Sequence, residues 1–178
     1  MQMNFADEIS IRILAVMAEE PEREFYQREI ARLAGISIGA TSQRLRQLSK
    51  HGMVTFKKSG KMLFYRYNLQ DPLAKQFKIL MNVNAVHGLV EQLRSHAKRV
   101  ILFGSCAEGT NAKESDIDLL ILSEASRKVR EVASKCSESL RRKVSPVIVT
   151  ANEFRQLRSK DRPLYERAMK GIVLWESQ

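Results

Sequence analysis

The chain has 178 residues, room for one domain or two small ones, and 44% of them are hydrophobic, enough for packed cores. Its formal net charge of +10 and pI near 9.9 point to a polyanionic partner. No apolar run approaches a membrane span, the N-terminus lacks a signal-peptide pattern, and Cys106 and Cys136 fit neither a metal spacing nor a disulfide framework, so a cytoplasmic location with reduced thiols is expected.

Residues 6–18 read as an amphipathic helix with Ile9, Ile13, Leu14, Val16 and Met17 on its apolar face. Pro21 ends that region, and Phe25 and Tyr26 form a short extended piece. Residues 27–34 predict a second helix with Ile30 and Leu33 inward and Gly35 as its C-terminal stop. Ser37 caps a third helix running to about Lys50, with Thr41, Leu45 and Leu48 inward. A β-hairpin follows, with strands over 53–57 and 63–68 and the turn at 58–61.

Helix, helix-turn-helix and hairpin in that order resemble the winged helix-turn-helix regulators of bacteria and archaea over residues 5–70. The resemblance rests on the run from Gln27 through Ser37, on Leu45, Arg46, Gln47 and Leu48, and on His51, Gly52, Met53 and Val54. Charge supports it independently. No Asp or Glu lies between Ile30 and Gln70, a stretch that carries Arg32, Arg44, Arg46, Lys50, Lys57, Lys58, Lys61 and Arg66. The acids crowd instead into Glu19, Glu20, Glu22 and Glu24. A surface meant for phosphates has to be free of carboxylates, which would repel the duplex. With the third helix in a major groove, the outward positions are Ile38, Gly39, Ser42, Gln43 and Arg46. Gln43 suits adenine, and Arg46 suits guanine or a phosphate. Lys57, Lys58 and Lys61 would then touch backbone or minor groove. Double-stranded DNA is the expected partner; the competing reading is a protein-binding module with a solvated basic face.

Residues 72–97 are helical in pattern. Asp71 serves as cap and Pro72 fits the first turn. Leu73, Phe77, Leu80 and Met81 make a stripe, residues 82–84 are expected to interrupt it, and Val86, Leu89, Val90 and Leu93 resume it. In winged-helix regulators such a helix often forms a dimer seam. A homodimer and packing on the next domain both stay open. His87 and His96 have no ligand-type neighbour at metal spacing.

Residues 100–103 then read as a buried strand that stops at Gly104-Ser105, where glycine permits a tight turn and close approach to a ligand. Gly109 ends a short segment, residues 111–115 are loop-like, and a second apolar strand over 117–122 carries Asp116 and Asp118 at its mouth. Two residues apart, the carboxylates share one strand face at roughly 7 Å along the chain. Two carboxylates beside a Gly-Ser turn suit a hard divalent cation and a phosphate. Magnesium takes one or two carboxylates, with phosphate oxygens and water completing its shell. The amides of Gly104 and Ser105 and the Ser105 hydroxyl suit the phosphate end.

Gly104-Ser105 with Gly109, followed by Ser115-Asp116-Ile117-Asp118, resembles the minimal nucleotidyltransferases of the DNA polymerase beta superfamily, over about residues 85–178. The resemblance implies a nucleoside triphosphate ligand held by Gly104, Ser105, Gly109 and Ser115. It also implies Mg2+ on Asp116 and Asp118, which would be the catalytic pair. Residues 125–143 predict a long helix with Val129, Val132, Ala133, Cys136 and Leu140 inward, and Arg127, Lys128, Arg130, Lys135, Arg141, Arg142 and Lys143 on a solvated face. A third strand over 144–150, helices over 152–159 and 163–169, and a closing strand over 172–175 complete the chain.

Active members of that superfamily place a third carboxylate on the third strand. By register Ser145 or Val147 stands there, and Glu153 lies beyond the strand. Two-metal transfer needs enough carboxylate to hold two cations about 3.5–4 Å apart. Two aspartates and a triphosphate suit one ion. The expectation is an α+β chain: a winged helix of three helices and a hairpin (1–71), a connecting helical region (72–97) and a nucleotidyltransferase-fold domain with a mixed sheet (98–178). Its function would be DNA-binding regulation with nucleotide binding and weak or lost catalysis. The alternatives are an active transferase moving a nucleoside monophosphate to a protein, nucleic-acid or small-molecule hydroxyl, and an antitoxin-like nucleotidyltransferase.

Overall fold

A computed structural model describes residues 7–60 and 62–177. Contacts divide the chain into two units, one reaching to Lys78 and the other starting at Ile79. The elements make an α+β protein.

In the first unit Asp7 caps α1 (Glu8–Glu19), its carboxylate accepting the Ser10 N–H at 3.1 Å and hydroxyl at 2.6 Å. Ile13, Leu14 and Met17 are fully buried; Ile9 and Val16 are only partly covered. After β1 (Phe25–Tyr26) come α2 (Gln27–Ala34) and α3 (Ile38–Lys50). Gly35 ends α2 at φ 65°, and the Ser37 hydroxyl accepts the Ala40 N–H to open α3. Thr41, Leu45 and Leu48 are buried as their spacing predicts. Leu33 is not: it is 45% exposed, whereas Ile30 is buried as predicted and Ala31 is buried beside it. An eight-residue helix resting on α1 and α3 covers one narrow stripe, and Leu33 falls outside it.

The hairpin is tighter than its composition suggests. Strands β2 (Val54–Ser59) and β3 (Met62–Tyr67) pair antiparallel as far as Ser59 opposite Met62. Gly60, directly after β2, takes φ 60°. Lys58 and Ser59 therefore belong to a strand, not the turn. Strand β1 adds to β3, giving the order β1-β3-β2.

Helix α4 (Pro72–Leu93) opens with the Asp71 carboxylate accepting the Ala74 N–H at 2.8 Å. Ala74, Phe77 and Lys78 are buried, whereas Leu73 and Leu80 are exposed, against the predicted stripe. Lys78 lies inside because its ammonium donates to the Ala18 carbonyl in the last turn of α1. The helix also runs unbroken through 82–84. Asn82 does not turn on its own backbone; its amide donates to the Cys106 carbonyl at 2.9 Å and to Asn111 at 2.8 Å.

The second unit contains β4 (Arg99–Phe103), α5 (Ser105–Glu108), β5 (Ile117–Leu122), α6 (Ser126–Leu140), β6 (Val144–Val149), α7 (Ala151–Lys160), α8 (Arg162–Met169) and β7 (Ile172–Glu176). The sheet order is β6-β5-β4-β7, with β5 and β6 parallel and the other pairs antiparallel. Both faces are covered, which is why the strands read as continuous apolar runs. Val100, Leu102, Leu119 and Ile121 pack with Val86, Leu89 and Leu93 of α4 and with Val129 and Val132 of α6. Ile101, Phe103 and Leu120 pack with Leu157 of α7 and Ala168 of α8. Gly171 lets the chain enter β7, since a Cβ there would lie 2.4 Å from the Leu102 carbonyl oxygen.

The predicted helix over 125–143 stops early. Arg141 takes a left-handed φ of 49° and closes α6 at Leu140. Arg142 and Lys143 are therefore not on a solvated helix face; they turn toward the mouth of the sheet.

Candidate functional site

The two-residue period of the strands collects the site on the α7/α8 side of the sheet. Leu120 faces that side, so Asp118 and Asp116 do too. In the parallel pair, Asp118 stands opposite Ser145. The Ser145 hydroxyl donates to Asp116 Oδ2 at 2.9 Å, and the Lys143 ammonium donates to the same oxygen at 2.6 Å. From α8, Arg167 Nη2 comes to 3.9 Å from Asp118 Oδ2, with its guanidinium 5.4 Å from the centre of the Phe103 ring.

Gly104 at the end of β4 has φ 67°, and a Cβ on it would lie 2.6 Å from Asp118 Oδ2. The glycine thus serves both the backbone conformation and the space the carboxylate occupies. Ser105 opens α5, and its carbonyl accepts the N–H groups of Gly109 and Thr110. Gly109, at φ 69°, closes that turn. The Ser115 hydroxyl accepts the Ala112 N–H at 3.0 Å, closing the loop before β5.

The hydrogen bonds from Lys143 and then Ser145 hold the Asp116 carboxyl below its usual range, and Asp116 in turn raises Lys143. Burial pushes Asp118 up, against the opposing pull of Arg167. Two carboxylates are therefore met by two cations from the same chain.

Sequence reasoning missed the support beneath this cluster. Arg142 Nε donates to the Ser115 carbonyl at 2.6 Å, and Nη2 reaches Cys106 Sγ at 2.8 Å. Asn82 and Asn111, both buried, join Cys106 to the same network. It ties α4, the Gly-Ser turn and the loop before β5 together. The signal in the sequence is Asn82, with Asn84, inside an otherwise apolar helical pattern, which reads equally as a helix break. Glu153 lies apart from the carboxylate pair and caps a helix. It accepts the Thr150 N–H at 2.7 Å while the Thr150 hydroxyl accepts the Glu153 N–H, a capping box on α7.

In the first unit Ile38, Gln43 and Arg46 are exposed on α3 and Ser42 is half-buried. Arg46 Nε donates to the Ser42 carbonyl at 3.3 Å. Lys57 and Lys58, neighbours in β2, point to opposite faces of the wing. Lys57 lies over the Phe64 ring and pairs with Glu24 at 2.6 Å. Lys58 shares the face of Val54 and Phe56, where Phe56 meets Tyr65. Lys61 lies outside the described residues. Glu22 also approaches Arg66, at 3.7 Å. The acids that are remote in sequence thus return to one face of the wing, because β1 docks on β3.

A family model described as a nucleotidyltransferase domain matches residues 86–169, and one described as winged helix-turn-helix DNA-binding matches residues 7–55. The chain joins a winged helix-turn-helix domain to a nucleotidyltransferase domain. Among solved structures it is similar to a toxin–antitoxin with AMP-PNP, at 28% identity over 55% of this chain and 75% of that one, with a TM-score of 0.41. It is also similar to TrmBL2, an archaeal chromatin protein, at 15% identity over 89% of this chain and 71% of that one, with a TM-score of 0.31. Neither likeness is close enough to carry detail across. No curated protein matches.

The donor set of the nucleotidyltransferase domain is hard oxygen, as Mg2+ prefers, and the space beside Gly104 is kept open for Asp118. It fits one ion. One oxygen of Asp116 is already engaged by Lys143 and Ser145, and among the described residues no group of three or more His, Cys, Asp or Glu side chains is placed to hold a metal. No helix among the described residues is long and apolar enough to cross a membrane.

Proposed function

We propose that the protein is a DNA-binding regulator whose nucleotidyltransferase domain binds a nucleoside triphosphate with one Mg2+ and transfers it slowly or not at all. The reading keeps residues 1–71 as the DNA-binding part, 72–97 as connector and 98–178 as the nucleotide-binding part. The observation that carries it is that β6 offers no carboxylate beside the pair: Ser145 stands opposite Asp118 and Val147 opposite Leu120. A serine hydroxyl is too weak a base to take the proton of an attacking hydroxyl, and it adds no charge for a second ion.

In this reading Asp116 and Asp118 hold the ion, which screens the triphosphate when bound. Gly104 brings the backbone amide of Ser105 close to the phosphates, with Gly109 and Ser115 keeping the two loops in shape. On the winged helix, Ile38, Ser42, Gln43 and Arg46 face the major groove, and Lys57, Lys58 and Lys61 belong to the wing. A homodimer through α4, on which Leu80 is 60% exposed, is part of the proposal and is tested by sedimentation.

Equilibrium dialysis with labelled ATP, CTP, GTP and UTP, followed by a search for label transferred to protein or nucleic acid, tests the central statement. Binding is expected without appreciable transfer, and Asp118→Ala abolishes the binding. Transfer that is rapid and disappears in Asp116→Ala favours the working transferase instead. The specific observation on that side is the intact Gly104–Asp118 arrangement.

A further inference from the structure

We infer that Lys143, supported by Ser145, is a resident counterion of the nucleotide site: it occupies the oxygen of Asp116 that a second divalent cation would need, and it limits the site to one ion. This rests on the reading of Asp116 and Asp118 as metal ligands.

Three placements converge on it. Ile117 N–H donates to the Lys143 carbonyl at 2.9 Å, so the parallel register holds Lys143 beside Asp116. The Lys143 ammonium and the Ser145 hydroxyl both reach Asp116 Oδ2, at 2.6 and 2.9 Å. Arg167 brings a second positive charge to Asp118 from the other side. Asp116 Oδ2 is the atom both groups engage, so a further dication could take it only by displacing the Lys143 ammonium and the Ser145 hydroxyl. The lysine is there because α6 ends at Arg141. Had the helix continued, Lys143 would lie on its surface.

The Lys143 side chain is 72% exposed, so the pair is a solvated one and its effect is modest. Removing the ammonium should raise divalent affinity by about two- to fivefold, the span that exposed ion pairs cover. Mn2+ is the probe, counted and titrated by electron paramagnetic resonance on the full chain, with thermal melts confirming that each variant is folded. The unsubstituted protein should bind one ion. Lys143→Met should bind one ion more tightly, Lys143→Arg should stay close to the original affinity, and Lys143→Met with Ser145→Asp should bind two. Unchanged or weaker Mn2+ binding in Lys143→Met overturns the inference, as does a second ion in the unsubstituted protein or no ion in any form. Labelled-ATP dialysis is read separately. If ATP fails to bind while the Mn2+ series behaves as stated, the nucleotide reading falls and the counterion stands.

Discussion

Gly104 and Asp118 are matched in space: a Cβ on the glycine would lie 2.6 Å from Oδ2 of the aspartate, and the glycine backbone is itself at φ 67°. Gly104→Ala therefore has two costs, a left-handed backbone and a displaced carboxylate. Together they should lower stability by about 1–3 kcal/mol and weaken nucleotide binding more than a neutral surface change does. Thermal unfolding and labelled-ATP dialysis measure the two effects. Native stability and native binding in Gly104→Ala would show that the close approach has no consequence.

The buried amide of Asn82 offers the second test. It donates to Cys106 and Asn111 from inside α4. Asn82→Ala leaves those acceptors without their donor and should cost roughly 1–3 kcal/mol. Arg142→Ala should cost less, since Arg142 is only half-buried, but should loosen the loop before β5 that leads into Asp116. Denaturant titration gives the first difference. Amide exchange at positions 112–116 reads the second.

On the wing, Lys57 is matched by Glu24 while Lys58 stands on the opposite face. Lys58→Ala should flatten the salt dependence of DNA binding by about one unit, the value for one lost phosphate contact. Lys57→Ala should change it less, because Glu24 already offsets that charge. Fluorescence anisotropy on a duplex across a salt series compares them. A larger change from Lys57 would reverse the assignment of faces.

The capping box on α7 predicts a pH dependence. Hydrogen bonds from the Thr150 backbone and hydroxyl hold the Glu153 carboxyl below its usual range. A carboxyl with a depressed folded pKa stabilises fully above its unfolded value, about 4.3, and loses that contribution as pH falls through the folded value. Glu153→Gln should thus be less stable than the parent near neutrality, and the difference should shrink below about pH 4. Thr150→Ala should cost about 1 kcal/mol at neutral pH. Melting curves from pH 3 to 7 decide both. A difference for Glu153→Gln that does not vary with pH would remove the ionised carboxylate from the cap.

Much of the architecture is written in short-range pattern. Gly35 and Ser37 mark the bounds of α2 and α3 because a left-handed stop and a hydroxyl cap are local devices. The strands around Gly104 and Asp118 announce themselves because both faces of the sheet are covered, leaving only apolar residues between the turn and the loop. That no carboxylate stands at either candidate position on the third strand could be read too, since it needs only the identities of residues 145 and 147. Leu33, Leu73 and Leu80 misled for a shared reason: apolar spacing says that a helix has a face, but a short or partly covered helix hides only the part its neighbours reach.

What the sequence determined by itself is the order of elements, the two aspartates beside a glycine turn, and a basic stretch without acids. The tertiary structure alone decided which charges meet. Glu24 returns to Lys57 because β1 joins β3, and Lys143 reaches Asp116 because a left-handed Arg141 ends α6 beside a parallel strand. Coulombic pairing depends on distance in space, and sequence separation bears no fixed relation to it until the chain has folded.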